Sequence, residues 1–269
     1  MSWRQGARSR PSIVRALDRS RSLKPLLSRV QTALRRALCR GNAITINAGP
    51  TDEVQLRGLT IDGSGTGANG IVLNSGAGIT VTNCVVQNFA PAIGNGILLQ
   101  PTSGLSFIIT NTLLSRNGAF GLYYHPTSGT PVAYGVIDHV IATDNNSGIV
   151  IDPSLATGGS TTVAISDSIA SNNPGSGINA IGVTVSIVGS KISGNGVGVN
   201  VGSFQSSSYL GSSTITGNTI GVNNPPKSGV SGPAPPITFP LFILSWGDNH
   251  INGNGTDFNG DIPSVVGLH

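Results

Sequence analysis

The sequence has few charged residues, few aromatic residues and almost no cysteine. Only 10% of its 269 residues are Asp, Glu, Lys or Arg, 5% are aromatic, and two are cysteines. Glycine is abundant at 38 residues, and each glycine costs about 1 kcal/mol relative to alanine inside a helix. Isoleucine, valine and leucine are nevertheless plentiful and regularly spaced, which excludes a disordered composition. Short strands joined by many turns are therefore expected.

Long apolar runs are also lacking. No segment approaches the roughly 20 apolar residues of a membrane-spanning helix, and the N-terminus lacks the apolar core of a secretory signal. We predict no transmembrane segment and see no export signal. Cys84 lies among apolar neighbours in "ITVTNCVVQNF", which is typical of a buried free thiol. A disulfide with Cys39 is the less favoured alternative. Cysteine usage therefore does not indicate whether the protein is located in an oxidising or a reducing compartment.

Positive charge is confined to one end of the chain. Residues 1–40 hold eleven basic residues against one acid, Asp18, whereas the remaining 229 residues carry a net charge of −6. We call residues 1–40 the basic arm. The acidic remainder has no basic stripe for nucleic acid, which excludes nucleic-acid binding through that part of the protein.

The basic arm allows several interpretations. Leucines at three- and four-residue spacing predict an amphipathic helix over residues 25–39 that caps the following domain. The alternatives are a segment that binds membrane or nucleic acid, a disordered tail, an organellar transit peptide, and a segment foreign to the domain.

The phrase "KISGNGVGVNV" at 191–201 contains a hairpin signal, Asn-Gly between alternating apolar residues. Near-copies of it recur along the chain, however, and internal periodicity overrules a local turn signal. The anchors of the repeat are Asn88, Asn117, Asn145, Asn173, Asn195, Asn218 and Asn254, separated by 29, 28, 28, 22, 23 and 36 residues. Each unit holds three short apolar runs.

Such units bury their apolar faces by stacking. The repeat lacks the phrases of leucine-rich and hexapeptide solenoids, so we predict an all-β, right-handed parallel β-helix of about eight coils. It occupies residues 41–269, with a proline-rich loop at 223–240. Stacked asparagines should hydrogen-bond along the axis, and isoleucine and valine should fill the interior.

With "GLTIDGSGTGANGIVL" near its start and "SWGDNHINGNG" near its end, the repeat region resembles the pectate-lyase-like superfamily, particularly its uncharacterised bacterial β-helix proteins. The resemblance implies a role in cleaving pectin, binding glycan, or building a surface or structural assembly. It also suggests an extracellular or cell-surface location. The polygalacturonase motifs Asn-Thr-Asp, Asp-Asp, Gly-His-Gly and Arg-Ile-Lys are missing, and the lyase site cannot be transferred to this chain.

One column of polar residues is a candidate catalytic site. It follows the first apolar run of each coil and comprises Asn83, Asn111, Asp138, Asp167 and Gly189. Asp138 and Asp167 would lie about 5 Å apart on successive coils, a separation that suits a retaining glycosidase or a calcium ion. The favoured interpretation is a turn position, where Asn and Asp interchange. Strand alternation predicts that His139 does not pair with Asp138.

The stretch "FGLYYHPTSG" is the candidate binding site, because Tyr123, Tyr124 and His125 cluster there in a chain poor in aromatics. An outward ring could stack on a sugar, although alternation allows only one of the two tyrosines to face outward. Asp248, Asp257 and Asp261 could bind calcium, but a solvated tail is favoured. We predict no other cofactor and no histidine metal site.

Three functions remain open at this point. The preferred one is a non-catalytic β-helix protein with a structural or carbohydrate-binding role, with polysaccharide as its partner. The alternatives are a polysaccharide-cleaving enzyme that uses Asp138 and Asp167, and a truncated chain without independent function. The sequence does not indicate an oligomeric state.

Overall fold

A computed structural model describes residues 41–202, 206–224 and 242–260, together with the backbone of two short strands at 13–14 and 264–265. The predicted capping helix over 25–39 and most of the proline-rich loop lie outside the described residues. So do Cys39 and Asp261.

The described residues form three long parallel sheets, A, B and C, built from strands numbered β1–β27 in chain order. Sheet A has ten strands, sheet B nine and sheet C eight. The strands of sheet A are β1 (Ile13–Val14), β2 (Ile44–Asn47), β5 (Asn69–Ser75), β8 (Asn95–Leu99), β11 (Phe120–Tyr124), β14 (Ser147–Ile151), β17 (Ser176–Ile181), β20 (Val197–Gly202), β23 (Ile220–Asn224) and β26 (Thr256–Gly260).

The other two sheets follow the same progression. Sheet B contains β3 (Glu53–Arg57), β6 (Gly78–Thr82), β9 (Leu105–Thr110), β12 (Val132–Asp138), β15 (Ser160–Ser166), β18 (Thr184–Val188), β21 (Ser207–Gly211), β24 (Phe242–Ser245) and β27 (Ser264–Val265). Sheet C contains β4 (Thr60–Asp62), β7 (Val85–Gln87), β10 (Leu113–Ser115), β13 (Ile141–Thr143), β16 (Ile169–Ser171), β19 (Lys191–Ser193), β22 (Thr214–Thr216) and β25 (His250–Ile251). From β2 onward, neighbouring strands in each sheet are three elements apart in the chain, so each coil contributes one strand to every sheet. The prediction of a β-helix of about eight coils is confirmed.

Columns of apolar side chains fill the interior. One column on sheet A comprises Ile71, Ile97, Leu122, Ile149, Ile178, Val199 and Val222, all of them essentially inaccessible to solvent. Cys84 is a buried free thiol, as predicted. Because each coil buries its apolar residues against the next, no unit has a core of its own.

An asparagine ladder, buried from Asn117 to Asn218, runs along the corner between sheets C and A. It comprises Asn117, Asn145, Asn173, Asn195, Asn218 and Asn254, and the side-chain oxygen of each later member accepts a hydrogen bond from the backbone N–H of the preceding one. Asp257 accepts from the last member. These hydrogen bonds join successive coils at a position without strand pairing.

Asn88 is not a member of the ladder, although the repeat alignment placed it there. The backbone of Asn88 is left-handed, with φ of 60°. Arg116 (φ 52°) and Asp144 (φ 58°) have the same conformation, and each of them lies one residue before the ladder position. The ladder position in its coil is taken by Phe89, which is only 2% exposed. Asn117 is consequently the first member, and its side-chain oxygen is buried without a hydrogen-bond partner.

The three corners differ in the lengths of their connections. Sheet B is joined to sheet C by two residues, such as Asn83 and Cys84, in every described coil except the last, where residues 246–249 join β24 to β25. Among the connections that the structure describes in full, the one from sheet A to sheet B varies from two residues at 76–77 to eight at 152–159. Variation in coil length is therefore taken up mainly at the corner between sheets A and B.

Candidate functional site

The corner between sheets B and C positions the candidate catalytic residues. Its first residue has a left-handed backbone in successive coils, and this column comprises Gly58, Asn83, Asn111, His139, Asp167, Gly189 and Ser212. The strand register pairs Asp138 with Ser166. Asp138 therefore ends strand β12, and His139 is the residue equivalent to Asp167.

The predicted column was thus wrong by one residue at Asp138. It assumed a spacing of 29 residues between Asp138 and Asp167, whereas β12 and β15 pair with a spacing of 28. The same spacing of 28 connects Asn111, His139 and Asp167. A strict count of repeat length would have found His139.

Asp138, His139 and Asp167 form a compact cluster. The Oδ2 of Asp138 lies 2.7 Å from Nδ1 of His139, and the Ser166 hydroxyl donates to Oδ1 of Asp138 at 2.6 Å. One potential ligand atom from each of the three residues lies within 4.8 Å of the others. The prediction that the two carboxylates lie close together is confirmed, but the prediction that they occupy equivalent positions on successive coils is wrong.

The prediction that Asp138 and His139 do not pair was wrong. It relied on strand alternation, which holds only while the backbone stays extended. The strand ends at Asp138, and His139 has φ of 51°. The chain turns at this residue, which brings both side chains to the same side.

Hydrogen bonding shifts the pKa values of both Asp138 and His139. The bond from Ser166, followed by that from His139, lowers the pKa of the Asp138 carboxyl, whereas Asp138 raises the pKa of His139 above 6.5. The contribution of His139 to stability is complete below pH 6.5 and is lost as pH rises through its raised pKa. The contribution of Asp138 is complete above pH 3.8 and is lost as pH falls through its lowered pKa.

Replacing Asp138 by asparagine should lower the pKa of His139 toward the ordinary value, because the asparagine carries no charge. The measurement is an NMR titration of the imidazole signals, with His139→Gln used for assignment. Asp144→Asn is the matched control, since Asp144 also follows a strand in the left-handed conformation. An unchanged His139 titration in Asp138→Asn would contradict the pairing.

The candidate binding residues Tyr123, Tyr124 and His125 do not share one surface. Tyr124 is fully buried and stacks on Phe107 with ring centroids 5.6 Å apart, so it belongs to the core. Tyr123 faces outward and is half-buried. Only one of the two tyrosines faces outward, as predicted.

Tyr123 is already in contact with other rings. It stacks on His125 at a centroid distance of 4.6 Å and meets the edge of Phe120 at 4.5 Å. The ring nitrogen Nδ1 of His125 lies 2.9 Å from the Asp152 carbonyl oxygen. Burial, together with the charge of Asp152, raises the pKa of Tyr123 to about 12. These contacts leave less of the Tyr123 ring free to stack on a ligand.

The outward face of sheet B carries an aromatic side chain that the sequence analysis missed. Tyr134 in strand β12 is 63% exposed, and Val132, Val136 and Ile108 around it are each at least 40% exposed. The signal was the alternation in "VAYGVID", which makes every second residue face outward. We call these four residues the tyrosine patch.

Hydroxyl-bearing residues continue the face beyond the tyrosine patch. Thr162 and Thr184 follow Tyr134 on the next two strands, and Ser186 precedes Tyr209 in the adjacent column. Tyr134 and Tyr209 are three strands apart, which is about 14 Å along the solenoid axis at the usual strand spacing. The face thus presents two tyrosines along the axis with small polar residues between them.

The C-terminal acids in the described residues serve the corners. Asp248 accepts hydrogen bonds from the backbone and hydroxyl of Ser212 at 2.9 and 2.7 Å, which lowers the pKa of its carboxyl. Asp257 ends the asparagine ladder. Both carboxylates therefore have structural roles in the last coils.

The fold and this geometry define a parallel β-solenoid protein with a carboxylate–imidazole cluster on one corner and an exposed aromatic patch on one sheet. The family model described as "right handed beta helix region" matches residues 40–220, and the chain belongs to this family. A comparison with curated proteins finds no match. Among the described residues, no helix has the length and apolar character needed to cross a membrane.

Proposed function

We propose that this protein is a non-catalytic β-helix protein that binds a neutral polysaccharide across sheet B. The observation that carries the proposal is the 63% exposure of Tyr134 among exposed apolar side chains on sheet B. An exposed cluster of apolar side chains marks an interaction surface, and tyrosine combines an apolar ring with a polar hydroxyl. A sugar ring needs both properties in its partner.

The shape of the face suits an extended chain. Parallel strands about 4.8 Å apart give a regular surface along the solenoid axis. Thr162, Thr184 and Ser186 supply hydroxyls between Tyr134 and Tyr209. Sugar rings can stack on the tyrosines while the intervening hydroxyls bond directly or through water.

The charges near the tyrosine patch favour a neutral ligand. Asp138 lies on strand β12 with Tyr134, and Asp167 lies near it on the next coil. An anionic polysaccharide would meet like charge there, which disfavours its binding.

Replacing Tyr134 by alanine should weaken binding of a neutral polysaccharide at least about tenfold, since buried aromatic contacts dominate such interfaces. Affinity electrophoresis and calorimetry with β-glucan, xylan, galactomannan and polygalacturonate would measure it. Tyr134 is exposed, so the fold should be unaffected, which circular dichroism checks. Tyr123→Ala, on sheet A, is the control and should bind as the wild type does.

Three results would contradict the proposal. If folded wild-type protein binds none of the four polysaccharides, the proposed binding is excluded. If only Tyr123→Ala loses polysaccharide binding, the site lies on sheet A. Release of reducing ends that stops in Asp138→Asn and Asp167→Asn would instead make the protein an enzyme.

A further inference from the structure

We propose that Asp138, His139 and Asp167 form a binding site for a divalent transition-metal ion such as Zn²⁺. Metal binding does not require polysaccharide binding, and the three proposed ligands lie outside the tyrosine patch. The cluster supplies one imidazole nitrogen and two carboxylates, with candidate ligand atoms within 4.8 Å of one another. Ligands of a single zinc ion lie about 2 Å from it and hence within about 4 Å of each other, so small side-chain rotations suffice.

The backbone holds the three residues in place. Asp138 ends a seven-residue strand that pairs on both sides. His139 and Asp167 occupy equivalent left-handed positions on adjacent coils, so their side chains leave the corner in the same direction about 4.8 Å apart. The site is thus a product of the repeat, and its geometry does not depend on a long loop.

Neighbouring residues orient the carboxylates. The Ser166 hydroxyl binds Oδ1 of Asp138 at 2.6 Å, leaving Oδ2 directed at His139. On the coil after Asp167, the residue equivalent to Asp167 is Gly189. A Cβ at Gly189 would lie 2.6 Å from Oδ1 of Asp167. The missing side chain leaves space for the Asp167 carboxylate. The Ser166 hydroxyl is an outer hydrogen-bond partner of the kind whose loss typically changes metal affinity about 10- to 100-fold.

The donor set indicates which ions fit. Imidazole suits zinc, copper, iron and nickel, whereas calcium and magnesium take oxygen ligands. Two carboxylates neutralise a dication. The side chain of His139 is 58% exposed and that of Asp138 33%, so solvent can complete the coordination.

Calorimetric titration of the full chain with Zn²⁺ should show saturable binding of one ion. His139→Asn and Asp167→Asn should each lower the affinity at least about tenfold. Titration with Co²⁺ should produce visible absorption from the same site, and the imidazole NMR signals of His139 should shift. Asp144→Asn is the matched control, because Asp144 is an exposed corner aspartate with a left-handed backbone, and it should bind as the wild type does.

Several outcomes would overturn the proposal. One is the absence of saturable Zn²⁺ binding by folded wild-type protein. Another is unchanged affinity in both His139→Asn and Asp167→Asn, with circular dichroism confirming that each variant is folded. A third is calcium binding in preference to Zn²⁺ that His139→Asn does not alter, since the histidine would then not be a ligand.

Discussion

Replacing Asn173 by alanine should lower the free energy of unfolding by about 2–4 kcal/mol, because it interrupts the buried ladder at its centre. The side-chain oxygen of Asn173 accepts hydrogen bonds from the backbone N–H and the amide of Asn145 at 3.0 and 3.4 Å. Its own amide donates to the Ala142 carbonyl at 3.2 Å. Asn173 is fully inaccessible to solvent, so water cannot replace these partners.

The solenoid provides a matched control for this experiment. A second asparagine ladder lies on the outward face of sheet A, where Asn200 donates to Asn179 and accepts from Asn223 at 2.9 and 2.6 Å. Water can substitute for these bonds, so Asn200→Ala should cost less than about 1 kcal/mol. Urea unfolding followed by circular dichroism measures both variants. Equal losses would show that burial does not determine the ladder's contribution.

Replacing Gly135 by alanine should cost about 3 kcal/mol, because the added methyl group would overlap a core aromatic ring. A Cβ at Gly135 would lie 2.1 Å from Cζ of Phe107, on the adjacent strand. Gly135 and Phe107 are register partners in the inward column that continues to Val163. Overpacking a dense core typically costs about 1–3 kcal/mol, and this overlap involves a ring that packs against Tyr124.

A smaller residue at position 107 tests the cause of that loss. Phe107→Leu should be destabilising alone because it leaves a cavity, yet it should recover at least about 1 kcal/mol of the loss when combined with Gly135→Ala. Gly202→Ala is the control, since a Cβ there would make ordinary contact with Ile181 at 3.5 Å. Thermal and urea unfolding would measure the set. Additive effects at Gly135 and Phe107 would refute the steric explanation.

The sequence was sufficient to predict the fold because the repeat has a strong physical signal. Seven anchors separated by 22 to 36 residues allow few alternatives, and the three apolar runs in each unit indicate three strands. The exact register was harder to predict. At Asn88 and at Asp138, residues that favour turns lie one position away from the structurally equivalent residue, and composition alone does not distinguish adjacent positions of this kind.

The surface was predicted less well than the core, because it has no requirement as strict as burial. Tyr123 and Tyr124 attracted attention through their clustering, yet one packs inside and the other is covered by Phe120 and His125. Tyr134 is the only aromatic residue in its part of the sequence, and it becomes notable only when Val132, Val136 and Ile108 are known to be exposed around it. Predicting the position of the His139 side chain would have required knowledge of the turn at the end of β12, because strand alternation does not describe turns.

The unequal corners determine how the gene for this protein can change in length. Codons added between sheets B and C would move the left-handed column out of alignment, and codons added between sheets C and A would break the asparagine ladder. The described connections at the corner between sheets A and B already range from two to eight residues among neighbouring coils, so we expect insertions and deletions to be tolerated there. New peptide segments can therefore be displayed along one edge of the molecule while both other corners keep their sequence.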